Sequence, residues 1–92
     1  MASEVYQAIA ESLLTEVADP RLKHARLARV VMTADLGIAR LYFYLIEGNT
    51  PKNIQAADKA LRRAAGFLKR IMNNTVQMKF TPDIEIYFED IP

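Results

Sequence analysis

The apolar residues between Thr50 and Phe80 recur with the 3.6-residue period of an α-helix. They are Ile54, Ala57, Leu61, Ala64 with Ala65, Leu68 and Met72. Thr50 and Pro51 form a start signal, because a hydroxyl side chain can cap the first turn and proline already has a helical φ. The pattern therefore predicts a long amphipathic helix around which the other elements are organised. Gly66 interrupts it, and a glycine inside a helix costs about 1 kcal/mol relative to alanine.

The other periodic stretches predict one more helix and three strands. In chain order, they are a helix over 3–18, strands over 26–33 and 38–46, and a strand over 84–88. Ser3 is a candidate N-cap for the first helix, and Asp19-Pro20 ends it, since a residue before proline avoids the helical region. Its predicted apolar face consists of Val5, Ile9 and Leu13, with Tyr6, Leu14 and Val17 alongside.

The strand patterns assign the two faces of a sheet. Inward positions are Ala39, Leu41, Phe43 and Leu45 in one strand and Ile84, Ile86 and Phe88 in the last. Between the first two strands, Asp35-Leu36-Gly37 forms the turn of a hairpin, with Gly37 available for a positive φ. The order α-β-β-α-kink-α-β predicts a single two-layer α+β domain over residues 1–92, with helices covering one face of a three-stranded sheet.

Composition excludes several classes of site. The chain has no cysteine and one histidine, so a disulfide framework is absent and a structural zinc site is not expected. No apolar run approaches the length of a membrane span, and no export signal is visible. Paired carboxylates, a Ser/His/Asp set and a phosphate-binding glycine loop are also missing. We expect a soluble, cytoplasmic monomer that has no cofactor, metal or small-molecule substrate and is not an enzyme.

The net charge of +1 hides a strong segregation along the chain. All twelve lysines and arginines lie between residues 20 and 79, together with three acids, so this middle part carries +9. The segments 1–19 and 80–92 contain four acids each and no base. Such asymmetry favours a cationic face that binds a polyanion, although scattered solvated charge is the alternative.

Gly66 has three possible explanations. It could cap the C-terminus of one helix before a second one begins, or it could permit close packing against another element. It could also bend the helix, so that a nucleic-acid backbone approaches the main chain at a new helix N-terminus. Phosphate ligands would then flank the bend on both sides, namely Arg62, Arg63, Lys69 and Arg70.

Two further surfaces leave alternatives open. The basic stretch 20–29 contains Arg21, Lys23, Arg26 and Arg29 and no acid, and it is either a solubilising loop or a contact with an anionic partner. Outward tyrosines at positions 42, 44 and 87, with Arg40, could form a base-stacking platform, but no RNP-like motif accompanies them. The rival interpretation is a protein-interaction adaptor without RNA specificity, which would use the acidic ends of the chain or the face of Tyr42 and Tyr44. His24 is expected at the surface.

Four segments together resemble the ribosome-binding factor A family over almost the whole chain. They are EVADPRL (16–22), TADLGIARLYF (33–43), ALRRAAGFLKR (60–70) and FTPDIEIYF (80–88). The resemblance implies a type II KH-like fold, in which an Ala-x-Gly kink replaces the GxxG loop of ordinary KH domains. Ala64, Ala65 and Gly66 match that kink.

The same resemblance implies a function. Members of this family bind the immature small ribosomal subunit at its 16S rRNA, assist late maturation and 5′-end processing, help cold adaptation and have no enzymatic activity. The RNA-binding residues expected here are Lys59, Arg62, Arg63, Ala64, Ala65, Gly66, Lys69 and Arg70, together with Arg21, Lys23 and Arg26.

Overall fold

The structure, a computed structural model, describes residues 2–15, 18–76 and 80–90. Its elements are α1 (Ala2–Thr15), a 3₁₀ helix (Pro20–Leu22), β1 (Ala25–Met32), β2 (Ile38–Leu45), α2 (Pro51–Arg63), α3 (Ala65–Thr75) and β3 (Asp83–Phe88). The predicted α+β order is confirmed, and the 3₁₀ helix is an addition to it. Pro20 begins that helix because its fixed φ suits a first turn.

The three strands form one sheet in the order β1-β2-β3, with β1 antiparallel and β3 parallel to β2. A parallel neighbour requires a long crossover, which α2 and α3 supply. The predicted alternation of β2 is confirmed, since Ala39, Leu41 and Phe43 are fully buried against the helices. In β3, Ile86 is buried and its inward neighbours Ile84 and Phe88 are partly buried. Helices therefore cover one face of the sheet.

A β-bulge explains why β1 lacks a clean alternation in the sequence. The register passes from Leu27 opposite Phe43 to Arg29 opposite Tyr42, which leaves Ala28 as the extra residue. The bulge changes the side on which every later residue of the strand lies. Leu27 is buried, and Arg29 lies on the opposite face although it is only two residues further on.

The apolar face of α1 is narrower than the sequence predicts. Val5 and Ile9 are fully buried, but Leu14 is 63% exposed. The helix begins at Ala2, so Ser3 lies inside its first turn and the predicted cap is wrong. Residues 16 and 17, which include Val17, lie outside the described residues, and Ala18 is no longer helical.

The hairpin turn also differs from the prediction. Leu36, and not Gly37, has the positive φ of 59°. The turn is fixed instead by Asp35, whose Oδ1 accepts the Gly37 amide at 2.9 Å and the Thr33 hydroxyl at 2.8 Å. These hydrogen bonds lower the pKa of the Asp35 carboxyl. The side chain of Asp35 thus stabilises a turn in which a leucine occupies the left-handed region.

Candidate nucleic-acid interface

The basic residues of the candidate interface lie mainly on α2 and α3, whose apolar sides are buried in the core. Thr50 caps α2 as predicted, because its Oγ1 accepts the Asn53 amide at 3.3 Å. Ala57 and Leu61 of α2 and Leu68 and Met72 of α3 are fully or almost fully buried, but the charged residues between them face solvent. Burial of this stripe determines which side of the two helices remains available to a partner.

The helical path breaks at Ala64. This residue has φ −84° and ψ 2°, and its amide donates to the carbonyl of Ala60 at 3.1 Å. Its own carbonyl accepts the amide of Leu68 at 2.9 Å, so Ala64 ends α2 and also begins α3. The predicted interruption exists, but the helical pattern placed it two residues too late, at Gly66, whereas the Ala-x-Gly kink implied by the resemblance begins at Ala64.

Gly66 is an exposed residue in the first turn of α3. It lacks a positive φ, and a Cβ added there would meet nothing within 4 Å. Two of the three explanations of this glycine are therefore wrong, because a helix C-cap needs the left-handed region and close packing needs a neighbour. The part of the third explanation that remains is that the main chain at Gly66 is open to an external partner.

Exposed cations lie on both sides of the break. Lys59 and Arg63 belong to the last two turns of α2, and Arg70 belongs to α3. Among the described residues, none of the three has an acidic partner within 4 Å. We call Lys59, Arg63, Gly66 and Arg70 the break surface.

Two other predicted ligands are held by carboxylates within the chain. Asp58 Oδ2 accepts Arg62 Nε at 2.9 Å, a contact that the i,i+4 spacing makes possible on a helix. Asp83, at the start of β3, accepts Lys69 Nζ at 3.1 Å. The hydrogen bond to Asp58 raises the pKa of Arg62. Both cations keep their charge, but a phosphate would have to compete with an existing partner.

Asp19 holds Arg21, the first cation of the basic stretch 20–29. It accepts the amide of Arg21 at 2.9 Å and the Nη2 of the same arginine at 2.7 Å. These bonds lower the pKa of Asp19 to about 2, with a smaller electrostatic contribution from Arg63. The 3₁₀ helix contacts α2, and Arg21 lines a groove with Asn53 and Ala56 in the first half of that helix.

Neither Lys23 nor Arg26 forms a hydrogen bond or an ion pair with Asp19 or Arg21 through its side chain. Arg26 Nη1 donates to the carbonyls of Lys23 and Ala25 at 3.1 and 2.9 Å. Both basic residues line a groove of about 440 Å³ beside α1, whereas Arg21 lines a second groove against α2. The sequence treated all three as one cluster, and the structure separates them.

The charge segregation of the sequence is reduced by folding. Four acids from the two terminal segments pair with cations of the middle part: Asp19 with Arg21, Asp83 with Lys69, Glu85 with Arg40 and Glu89 with Arg29. His24 likewise lies 3.4 Å from Glu47. The pairs of Lys69, Arg40 and Arg29 join residues 14, 45 and 60 positions apart, so the sequence does not reveal them. The pair of Asp19 and Arg21 is local, and sequence analysis missed it all the same.

Other kinds of site find little support in the described residues. They contain no group of three or more His, Asp or Glu side chains that could hold a metal ion. None of the described helices is long and apolar enough to cross a membrane. The exposed cations at the helix break thus remain the best candidate for a binding site.

Comparisons with known proteins agree on one family. The family model described as "Ribosome-binding factor A" matches residues 1–92. A relative of that name from Desulfatibacillum aliphaticivorans is 32% identical over 90 residues, which are 98% of this chain and 72% of the relative.

Solved structures agree with it in fold. The crystal structure of ribosome-binding factor A from Thermus thermophilus has a TM-score of 0.80 at 23% identity, covering 95% of this chain and 89% of that one. A homology model of the Thermus thermophilus factor, fitted into the cryo-EM map of a 30S complex with it, has a TM-score of 0.71 at 24% identity, covering 91% of this chain and 86% of that one.

Proposed function

This chain belongs to the ribosome-binding factor A family, and we propose that it binds the immature small (30S) ribosomal subunit at its 16S rRNA. We propose further that, as a single-domain monomer in the cytoplasm, it assists late maturation of that subunit and processing of the rRNA 5′ end. Support comes from the family itself and from the 30S complex into which the Thermus thermophilus relative was fitted.

One observation of the structure carries the mode of binding. Lys59 and Arg63 before the break and Arg70 after it are exposed, and so is Gly66, where an added Cβ would meet nothing within 4 Å. Cations that form no ion pair within 4 Å among the described residues are the side chains that gain most from a phosphate, because no existing pair has to be broken. The break surface is therefore the proposed contact with the rRNA backbone.

The other residues of the proposed interface act differently. Ala64, Ala65 and Gly66 have small side chains or none, so RNA can approach the main chain at the first turn of α3. Arg62 and Lys69 flank this turn and would exchange a carboxylate for a phosphate when RNA binds. Arg21 would make the same exchange at Asp19. Lys23 and Arg26 would make peripheral contacts.

The experiment for this function is complementation with a readout on the RNA. The chain is expressed in bacterial cells that lack their own ribosome-binding factor A, and the fraction of 16S rRNA with an unprocessed 5′ end is measured. We expect that fraction to fall with the wild-type chain, but not with a variant carrying Lys59→Glu, Arg63→Glu and Arg70→Glu. An equal fall with that variant would remove the break surface from the proposal, and no fall with the wild type would remove the maturation function.

A further inference from the structure

The face of the sheet opposite the helices carries ordered side chains that the proposed function does not use. We call it the outer sheet face and define it by Arg29, Arg40, Tyr42, Tyr44, Glu85 and Tyr87. No described helix packs on it, because the buried side chains of β2 all lie on the other side. This face is therefore the second large surface that the chain offers to a partner.

Three planar groups stack across the full width of the outer sheet face. The guanidinium carbon of Arg29 in β1 lies 4.0 Å from the ring centroid of Tyr42 in β2. The ring of Tyr42 in turn stacks on that of Tyr87 in β3, with a centroid distance of 5.2 Å and an interplanar angle of 19°. The bulge at Ala28 is what places Arg29 on this face, so the row depends on a specific irregularity of β1.

Ion pairs fix the ends of this row. Arg29 donates to Glu89 at 3.2 Å, and Arg40 Nε donates to Glu85 Oε1 at 3.1 Å. The hydroxyl of Tyr87 donates to the same oxygen of Glu85 at 2.8 Å. The hydrogen bond from Tyr87, followed by the one from Arg40, lowers the pKa of the Glu85 carboxyl. The bond to Glu85 in turn raises the pKa of the Tyr87 hydroxyl. The row is thus pre-ordered, and ordering it on binding costs little.

This arrangement argues against RNA as the ligand of the outer sheet face. Sheet domains that bind single-stranded RNA offer free aromatic faces on which bases stack. Here Arg29 covers one face of the Tyr42 ring and Tyr87 covers the other. Arg29 and Arg40 are also neutralised by glutamates, so a phosphate gains less here than at the break surface.

The composition instead matches the centre of a protein–protein interface. Tyrosine and arginine are enriched among the residues that dominate binding energy at such interfaces, and lysine is depleted. As defined, the outer sheet face contains three tyrosines, two arginines and no lysine; Arg26, opposite Tyr44, and the exposed side chain of Val31 lie beside them. Its cations lie on β1 and β2, its carboxylate Glu85 lies on β3, and Glu89 directly follows that strand.

We propose that the outer sheet face binds a protein component of the small-subunit particle, while the helical side binds RNA. The partner surface has an apolar or aromatic centre that covers Val31 and Tyr87, with uncharged polar groups around it that face the ion pairs of Arg29 and Arg40. This inference rests on the proposed function, because the particle is what brings the partner to the domain. The two surfaces lie on opposite layers, so both can be occupied in one complex.

The test combines affinity with the chemistry of the contact. Tyr87 is 42% exposed and Tyr6, on α1, is 37% exposed, so Tyr6→Ala is a matched control for Tyr87→Ala. We expect Tyr87→Ala to weaken binding to immature 30S particles roughly tenfold, as loss of an interface anchor does, and Tyr6→Ala to leave it unchanged. Arg29→Ala is a second variant, should Tyr87→Ala lower the melting temperature.

A photoreactive benzophenone side chain in place of Tyr87 identifies the partner class. In particles, we expect its crosslinks to lie on a ribosomal protein, and those from position 6 to be absent. Crosslinks to 16S rRNA or to a second copy of this chain would overturn the inference, as would wild-type affinity of both Tyr87→Ala and Arg29→Ala. Failure of the wild-type chain to bind particles at all would instead overturn the proposed function.

Discussion

Ala64 and Gly66 have separate roles at the junction of α2 and α3. Ala64 has the non-helical ψ of 2° and marks the break, whereas Gly66 lies inside α3 with open space where a Cβ would be. A glycine therefore does not create the break. The lack of a side chain at Gly66 therefore matters only if a partner molecule contacts its exposed main chain.

This relationship predicts the behaviour of Gly66→Leu. We expect α3 to gain up to about 1 kcal/mol of stability, since glycine is the weaker helix former and a side chain has room. The break at Ala64 is expected to stay. Binding to 16S rRNA is expected to fall roughly tenfold, because the new side chain separates the RNA from the main chain. Thermal unfolding and an RNA titration measure the two effects.

Asn74→Leu is the control for that substitution, since Asn74 is also exposed on α3 but lies near its C-terminal end. It introduces the same side chain eight positions away and should leave RNA affinity unchanged. If Gly66→Leu binds RNA as the wild type does, the main chain at Gly66 is not part of the interface.

Asp58→Asn should increase RNA affinity. The carboxylate of Asp58 holds Arg62 at 2.9 Å beside the proposed phosphate path. Its removal takes away one negative charge and leaves the guanidinium to the RNA, so we expect a gain of about two- to fivefold at low salt that shrinks as salt rises. Fluorescence anisotropy with a 16S rRNA fragment measures this change in affinity.

Asp90→Asn is the control, because it removes an exposed acid elsewhere on the chain. A loss of affinity in Asp58→Asn would show instead that the pair positions Arg62 for binding.

The pair of Asp19 and Arg21 predicts a defined response to acid. Arg21 lowers the pKa of Asp19 from 3.8 to about 2 in the folded protein. The unfolded chain therefore takes up this proton at higher pH, so the stabilisation is present above about pH 4 and is lost as the pH falls through about 2. We expect Asp19→Asn to be less stable than the wild type near neutral pH and to lose less stability between these pH values. Parallel acid unfolding curves of the two proteins would contradict the assignment.

Leu61 and Leu14 allow a buried leucine to be compared with an exposed one. Leu61 of α2 is fully buried, whereas Leu14 of α1 is 63% exposed. Leu61→Ala should lower the free energy of unfolding by about 2–5 kcal/mol, because it removes apolar contacts and leaves a cavity. Leu14→Ala should change it by less than about 0.5 kcal/mol. Denaturant titrations measure both values; equal losses would mean that α1 buries Leu14 in solution.

Local patterns were sufficient for much of the fold. The alternation in β2 and the period of α2 and α3 identify the buried side chains, since each element buries one face and the spacing follows from its geometry. The cap at Thr50 was also recognisable, because it depends on a contact between residues three positions apart.

Features that depend on tertiary contacts could not be predicted from local sequence patterns. The bulge at Ala28 places Arg29 and Leu27 on opposite faces of the sheet, and it is defined only by the pairing of β1 with β2. The pair of Lys69 and Asp83 joins α3 to β3 across 14 positions. Gly66 indicated that a break exists, but its position at Ala64 could not be predicted, because Ala64 and Ala65 are identical residues that both favour a helix.

The salt dependence of 16S rRNA binding tests the proposed interface most directly. Each phosphate contact contributes about 0.7–0.9 to the slope of log K against log salt, so replacing Lys59, Arg63 and Arg70 with alanine should reduce the slope by about 2–3. Lys52→Ala is the control, because Lys52 lies 11 residues before Arg63 on the same helix, about 16 Å along its axis. We predict that this control leaves the slope unchanged within error. A triple variant whose slope equals that of the wild type would contradict RNA binding through the break surface.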